Sequence, residues 1–172
     1  GANLLVSILW RRDLHPLHTL TQRVSLAAAV AAERVAGVRP VIKWPNDLLL
    51  DGRKLAGILA QAGGHGAIEH VVVGLGLNVG WAPDGAARLP TGTRDEVLSA
   101  VLEALTDPPD DVAAAYRERL GTLGAAVRVD TPSGSIVGRA ADVDWDGSLV
   151  VELADGSRRT IGVGDVTHLR PA

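Results

Sequence analysis

The sequence predicts an α+β protein in which a mixed or antiparallel sheet packs against helices and a small all-β unit follows. In residues 1–124, short apolar stretches bounded by turn residues alternate with longer segments of helical spacing. From residue 125 onward only short strand-like stretches occur, separated by Ser-Gly, Asp-Gly and Gly-Asp turns. The change of pattern predicts domains at 1–124 and 125–172, and we expect the second to resemble a small SH3-like β-barrel.

The first half of the chain is predicted to contain five strands and one long helix. Thr19 or Thr21 is expected to cap the helix, which runs on apolar spacing to about residue 36 and ends at Gly37. The predicted strands are 4–10, 41–44, 48–50, 54–60 and 69–76.

The second half begins with a loop rich in Pro, Gly and Ala at 82–94, followed by an amphipathic helix at 94–105. After a Pro-Pro break, Asp110 or Asp111 is expected to cap a helix over 112–123 that ends at Gly124. The strands predicted for the C-terminal unit are 127–129, 135–144, 148–153, 158–163 and 166–169.

Composition excludes several classes of function. The net charge of −3 gives no basic field for nucleic acid, and the absence of cysteine excludes disulfides, thiolate metal sites and cysteine nucleophiles. No apolar run reaches the roughly 18 residues that span a bilayer, and no signal peptide is visible, so a cytoplasmic protein without membrane contact is expected. The five histidines lack metal-binding spacing, and no metal site made by protein side chains is predicted.

The stretch 43–57 sets charged and amide side chains into apolar, strand-like sequence. Pro45 forces a turn at Asn46 and Asp47, and Asp51-Gly52 predicts a hairpin that brings Lys54 back beside that turn. A cation near a carboxylate and an amide suits a carbonyl or phosphate group. The alternative interpretation is an ordinary hairpin with solvated lysines.

The stretch 74–80 contains glycines in a strand but lacks the G-x-G-x-x-G spacing of dinucleotide-binding proteins. Glycines in a strand often let a ligand or another backbone approach closely. Asn78, at the end of this strand, is predicted either to offer its amide to the edge of a base or to stabilise a turn.

Three blocks of the sequence resemble the signature motifs of biotin protein ligases. They are Lys43-Trp44-Pro45-Asn46-Asp47, Arg53-Lys54-Leu55-Ala56-Gly57-Ile58-Leu59 and Gly74-Leu75-Gly76-Leu77-Asn78-Val79. The resemblance covers essentially the whole chain and implies a class II synthetase-like catalytic core with a C-terminal SH3-like domain.

The resemblance implies a ligase that uses ATP, with Mg²⁺, to convert biotin into biotinyl-5′-AMP. A lysine of a biotin carboxyl carrier protein then attacks this mixed anhydride. By position, Lys54 would bind the biotin carboxyl group and the α-phosphate, where its charge stabilises the adenylation transition state. Asp47 would lie near the reacting centre and receive or orient the acceptor lysine.

The remaining site residues also follow from the resemblance. Lys43, Asn46, Lys54 and Asn78 would form the nucleotide side, with Asn78 reading adenine. The biotin side would be formed by Lys54, Gly57, Ile58, Gly74 and Gly76, whose glycines leave room for the rings of biotin.

The chain also departs from the family pattern. The arginine- and glycine-rich loop and the Ser-Thr-Asn segment of the family would precede Gly1, so we expect the 172 residues to carry half of the biotin site and to be inactive alone. No DNA-binding winged helix is present in the chain, and whether the protein forms a homodimer stays an open question. The alternatives are a non-catalytic biotin- or nucleotide-binding relative, a lipoate-type ligase, or a scaffold whose C-terminal unit binds partners.

Overall fold

The computed structural model describes residues 2–12, 14, 17–162 and 164–169. The helices are α1 (Leu17–Ala36), α2 (Arg94–Thr106) and α3 (Val112–Arg119). The strands of the first half are β1 (Leu4–Trp10), β2 (Val41–Lys43), β3 (Asp47–Leu50), β4 (Arg53–Gly63) and β5 (His70–Leu77). Those of the second half are β6 (Ala126–Thr131), β7 (Gly134–Val143), β8 (Leu149–Glu152), β9 (Arg158–Ile161) and β10 (Asp165–His168).

The first sheet has five strands in the order β1-β5-β4-β3-β2, and every neighbouring pair is antiparallel. Alternate residues of β5, such as Val73 and Leu75, are buried, and those of β1 are buried at Leu4 and partly buried further on, which fits a sheet with one face on the core. The opposite face keeps large apolar side chains in solvent, with Leu5 82% and Leu59 71% exposed. The sheet therefore has one closed face and one open face.

Helix α1 covers the closed face and packs against β3, β4, β5 and the other two helices. Its run of alanines, including Ala27, Ala28 and Ala31, is buried because small side chains let the helix approach the sheet closely. Within the described ranges, no helix combines the length and the apolar character needed to cross a membrane.

The second sheet also has five antiparallel strands, in the order β10-β6-β7-β8-β9. Its inward residues form a small core of Val127, Val129, Ala140, Val143, Leu149, Val151, Ile161 and Val166. Two antiparallel sheets with few helices confirm the predicted fold class. Closure of the second sheet into an SH3-like barrel stays a prediction, as does the boundary at Gly124.

Two predicted helix ends were wrong. Helix α1 begins at Leu17, so Thr19 and Thr21 lie inside it; the earlier start lets Leu17 and Leu20 pack against the core. Helix α3 ends at Arg119 instead of 123, because Gly121 donates its N–H to the Ile42 carbonyl on the edge of the first sheet. Asp111, one of the two predicted caps, accepts a hydrogen bond from the Ala114 N–H.

Candidate functional site

One row of register partners crosses the first sheet and carries several of the predicted site residues. It runs Lys43, Asp47, Gly57, Gly76, Leu5 over β2, β3, β4, β5 and β1. Because directly paired residues of antiparallel strands share a face, Asp47 and the two glycines lie on the open face with Leu5. The folded sheet thus joins three motifs that are separate in the sequence.

Lys54 and Asp47 form the charged centre of this face. The Lys54 Nζ lies 2.6 Å from the Asp47 Oδ1, and the side chains are 55% and 18% exposed respectively. The connecting turn at Asp51 and Gly52 has φ of 51° and 73°, the positive pair that a tight two-residue hairpin requires. This geometry confirms the prediction that the hairpin brings Lys54 back beside the Asn46-Asp47 turn.

A β-bulge aims Lys54 at Asp47, and sequence reasoning missed it. Between β3 and β4 the register shifts, so that Leu48 faces Ala56 and Leu49 faces Lys54, with Leu55 as the additional residue. Leu55 and Ala56 are both buried, and Lys54 consequently shares the open face with Gly57, three residues later. The only sequence signal is the adjacent apolar pair Leu55-Ala56, which breaks the strict alternation of inward and outward residues along the strand.

The three glycines form a surface without side chains beside the charged centre. A Cβ on Gly57 would lie 3.3 Å from the Lys54 Nζ and 3.6 Å from the Asp47 Oδ1. A Cβ on Gly76 would lie 3.4 Å from the Leu5 Cδ2, whereas one on Gly74 would meet only the Leu59 carbonyl at 3.8 Å. A flat apolar molecule with an anionic end fits this arrangement.

Ile58 is not brought together with these glycines. It follows Gly57 in β4, so its side chain lies on the closed face, where it is 1% exposed. Its main-chain N–H donates to the Asn46 carbonyl at 2.8 Å and so supports the turn that carries Asn46. The structure therefore gives Ile58 a place behind the site.

Asn78 holds the loop that follows β5. Its Nδ2 donates to the Ala87 carbonyl at 2.9 Å, and its Oδ1 accepts from the Asn3 Nδ2 at 3.3 Å. The Ala87 N–H donates to the Lys54 carbonyl at 2.9 Å, so the loop lies against the strand that carries Lys54. These bonds match the turn-stabilising alternative and place Asn78 at the rim of the open face.

Lys43 points toward the second sheet. Its Nζ lies 3.6 Å from the Asp165 Oδ1 on β10, and its side chain is 21% exposed. In the part of the chain that the structure describes, no group of three or more His, Asp and Glu side chains is placed to hold a metal ion.

Behind the Trp44–Asn46 turn lies a cavity of about 210 Å³ between α1, α3 and the second sheet. Its polar lining includes His18, Gln22, Asn46, Tyr116 and Asp146. The Tyr116 hydroxyl donates to the Pro45 carbonyl at 3.2 Å, and burial raises the pKa of this phenol. The Tyr116 hydroxyl therefore keeps its proton and stabilises the turn as a hydrogen-bond donor.

Comparison with protein families gives one match in each half of the chain. Residues 1–78 match the Biotin/lipoate A/B protein ligase family, and residues 122–169 match the Biotin protein ligase C terminal domain. The motifs of the site lie in the first match, and the second sheet lies in the second.

Curated relatives carry related names. The chain is 38% identical over 173 residues to the biotin--[acetyl-CoA-carboxylase] ligase of Mycobacterium tuberculosis, covering 86% of this chain and 62% of that protein. It is 27% identical to the bifunctional ligase/repressor BirA of Bacillus subtilis, covering 92% of this chain and 56% of the relative. The chain thus spans about six tenths of the length of the relatives it matches.

Solved structures share the fold. The biotin protein ligase from Aquifex aeolicus superposes with a TM-score of 0.84 at 21% identity, covering 98% of this chain and 83% of the other. The structure of the same Aquifex aeolicus ligase in complex with biotin and ATP gives a TM-score of 0.82 at 21% identity, covering 99% and 80%.

Proposed function

We propose that the chain belongs to the biotin protein ligase family and that the full-length protein is an ATP-dependent ligase for biotin. It forms biotinyl-5′-AMP from biotin and ATP and then transfers biotin to a lysine of a biotin carboxyl carrier protein. The observation that carries this proposal is the Lys54–Asp47 ion pair on an open sheet face beside three glycines.

In the first step, a carboxylate oxygen of biotin attacks the α-phosphorus of ATP and pyrophosphate leaves. Negative charge at the phosphoryl oxygens has to be stabilised as the new bond forms. The Lys54 ammonium, 55% exposed and anchored by Asp47, is a preorganised cation for that charge. Anchoring matters because a free lysine would lose rotamer entropy on binding.

In the second step, the amine of the acceptor lysine attacks the acyl carbon and AMP leaves. The amine has to lose a proton during this attack. Asp47 is the carboxylate beside Lys54, and with a side chain 18% exposed it is held in one place by the sheet. We assign it the role of receiving or orienting the incoming ammonium group.

The open face supplies the binding surfaces. Gly57, Gly74 and Gly76 give biotin's rings and aliphatic chain a floor without side chains, flanked by the exposed Leu5. We assign Asn46, Lys43 and Asn78 to the nucleotide side. Ile58 would contribute to the biotin site from behind, through its bond to the Asn46 carbonyl.

Mg²⁺ enters this scheme with its nucleotide, as MgATP. Magnesium usually keeps several waters and binds substrate phosphates with one or two carboxylates, so a protein cage of three acidic groups is not required. The acceptor would be a carrier domain of an acyl-CoA carboxylase, since the Mycobacterium tuberculosis relative is named for acetyl-CoA carboxylase. We also propose a domain boundary near Gly124, which the second family match, starting at residue 122, supports.

The decisive experiment measures pyrophosphate release and biotinyl-5′-AMP formation by the full-length protein, with biotin and with lipoate. Lys54→Ala is expected to lower kcat/KM for biotin by a factor on the order of 10² to 10³, the usual effect of removing one electrostatic donor. Its thermal midpoint should change little, because a half-exposed ion pair contributes about 0–1 kcal/mol.

Arg53→Ala is the matched control. Arg53 is the neighbouring cation on β4 and is also exposed, but it precedes the bulge and is not an ion-pair partner of Asp47. Activity near wild type in Arg53→Ala, together with its loss in Lys54→Ala, would support the assignment. Full activity in Lys54→Ala, or activation of lipoate in place of biotin, would contradict it.

A further inference from the structure

The turn before Asp47 is held by groups outside the first sheet. The segment 120–122 runs alongside β2, where Leu120 forms a parallel bridge to Ile42. The Gly121 N–H donates to the Ile42 carbonyl at 2.9 Å, and the Trp44 N–H donates to the Thr122 Oγ1 at 3.0 Å. A side-chain oxygen therefore occupies the place that a carbonyl of a sixth strand would fill.

The Thr122 hydroxyl has a second partner on the second sheet. Thr122 is fully buried, and its Oγ1 lies 3.2 Å from the His168 Nε2 on β10. Burial, followed by the nearby charge of Lys43, lowers the pKa of His168, so its ring is neutral at pH 7. With the ring proton on Nδ1, the Nε2 accepts the Thr122 O–H while the Thr122 Oγ1 accepts the Trp44 N–H.

Two further bonds fix the same turn. The Trp44 indole N–H donates to the Gly147 carbonyl at 2.9 Å, and the Tyr116 hydroxyl donates to the Pro45 carbonyl. Gly147 has a φ of +83°, and a Cβ on it would lie 2.8 Å from the Cβ of His18, so only glycine allows this approach. Hydrogen bonds from three separate segments of the C-terminal half thus hold the turn.

We propose that Thr122 is a positioning residue of the ligase reaction, acting through the Trp44 main chain on the orientation of Asp47. Asp47 follows the turn directly and begins β3, so any rotation of residues 44–46 is passed to its carboxylate. The Lys54 ammonium pairs with that carboxylate and would move with it. Small displacements matter here because attack depends on closely set geometry, and a shift of about 1 Å can cost on the order of 10²-fold in rate.

This inference rests on the proposed function for its kinetic readout, and the test compares Thr122→Val with Thr122→Ser in the full-length protein. Valine keeps the shape but leaves the Trp44 N–H buried without its acceptor, so the turn has to shift. Serine keeps the hydroxyl. Thr122→Val is expected to lower kcat for carrier biotinylation by about tenfold, with KM for biotin changed less than about twofold, since the glycine floor lies on β4 and β5. Thr122→Ser is expected to keep kcat near the wild-type value.

Val129→Ala is the control for simple loss of stability. Val129 is fully buried in β6, the strand next to His168's β10, and it is not a bonding partner of the turn. We expect its thermal midpoint to fall while kcat per folded molecule is kept. Equal kcat losses in Val129→Ala and Thr122→Val would overturn the positioning role.

Amide hydrogen exchange gives a readout independent of activity. The Trp44 amide should exchange faster in Thr122→Val than in wild type and in Thr122→Ser, and unchanged protection would overturn the inference. The two proposals fail differently. A wild-type protein that forms no biotinyl-5′-AMP would overturn the proposed function, whereas an active wild type with an unchanged kcat in Thr122→Val would overturn only the role of Thr122.

Discussion

Gly57 is the residue of the glycine floor that lies beside the two charged side chains of the site, and its missing side chain has a measurable consequence. In Gly57→Ala the new Cβ would press on the Lys54 side chain at 3.3 Å. Because that side chain is flexible, it can swing aside at little cost to folding. We expect an activity loss on the order of tenfold to 10²-fold from the displaced ammonium, with a free energy of unfolding close to wild type.

The measurement is kcat/KM for biotinyl-5′-AMP formation together with a urea titration. Gln61→Ala is a suitable comparison, because Gln61 is an exposed residue of the same strand four positions further on. A Gly57→Ala protein that kept full activity would show that Lys54 can act from another position.

The residues of the site differ in how far sequence alone could predict them. Lys54 was predictable because its position depends on a local hairpin, whose Asp51-Gly52 turn is a strong signal. Ile58 was assigned to the biotin side, but strand alternation sends its side chain to the closed face. Thr122 was missed altogether, because its bond to Trp44 joins residues 78 positions apart and no local pattern records it.

Among the elements, helix α2 has a complete capping box that can be tested alone. The Thr93 Oγ1 accepts from the Glu96 N–H, and the Glu96 carboxylate accepts from the Thr93 N–H at 2.8 Å. Thr93→Ala is expected to lower the free energy of unfolding by about 1 kcal/mol, the usual cost of losing an N-cap. Thr91→Ala, an exposed change two residues earlier, should be neutral in the same urea titration. A neutral Thr93→Ala would mean that packing of α2 on α1 alone fixes the helix start.

The elements predicted well are those whose signals are local. The first strand was predicted at its observed bounds, Leu4–Trp10, and Asp111 was predicted as a cap. The ends of α1 and α3 were wrong where tertiary contacts decide them. Leu17 extends α1 to reach the core, and the bond from Gly121 to Ile42 stops α3 early.

For the whole molecule, the junction between the two sheets is where sequence reasoning reached its limit. The Trp44 indole bonds Gly147 across 103 residues, and Lys43 pairs with Asp165. Such contacts follow from how two separately predictable units pack, which periodicity and turn signals do not encode. The same junction partly buries two histidines, His18 and His168, and this makes its stability sensitive to acid.

Burial lowers the pKa of both histidines. For His168 the charge of Lys43 acts in the same direction, and for His18 the charge of Asp146 opposes it in part. Well above about pH 6.5, the ordinary histidine pKa, both rings are neutral in the folded and the unfolded chain. As the pH falls through that value, the unfolded chain takes up protons first, so the free energy of unfolding falls until the folded-state pKa values are passed.

We therefore expect urea midpoints to be flat from about pH 8.5 to 7.5 and to fall between about pH 7 and 5, where the unfolded rings protonate. His168→Gln should fall less steeply over that interval, because its share of the proton uptake is gone, even if its midpoint at pH 8 is lower. Lys43, itself paired with Asp165, is the charged group that acts on this ring, and the depressed pKa values of carboxyls such as Glu33 and Asp142 act only at lower pH. An identical slope in the wild type and in His168→Gln would show that the junction remains closed over a protonated ring.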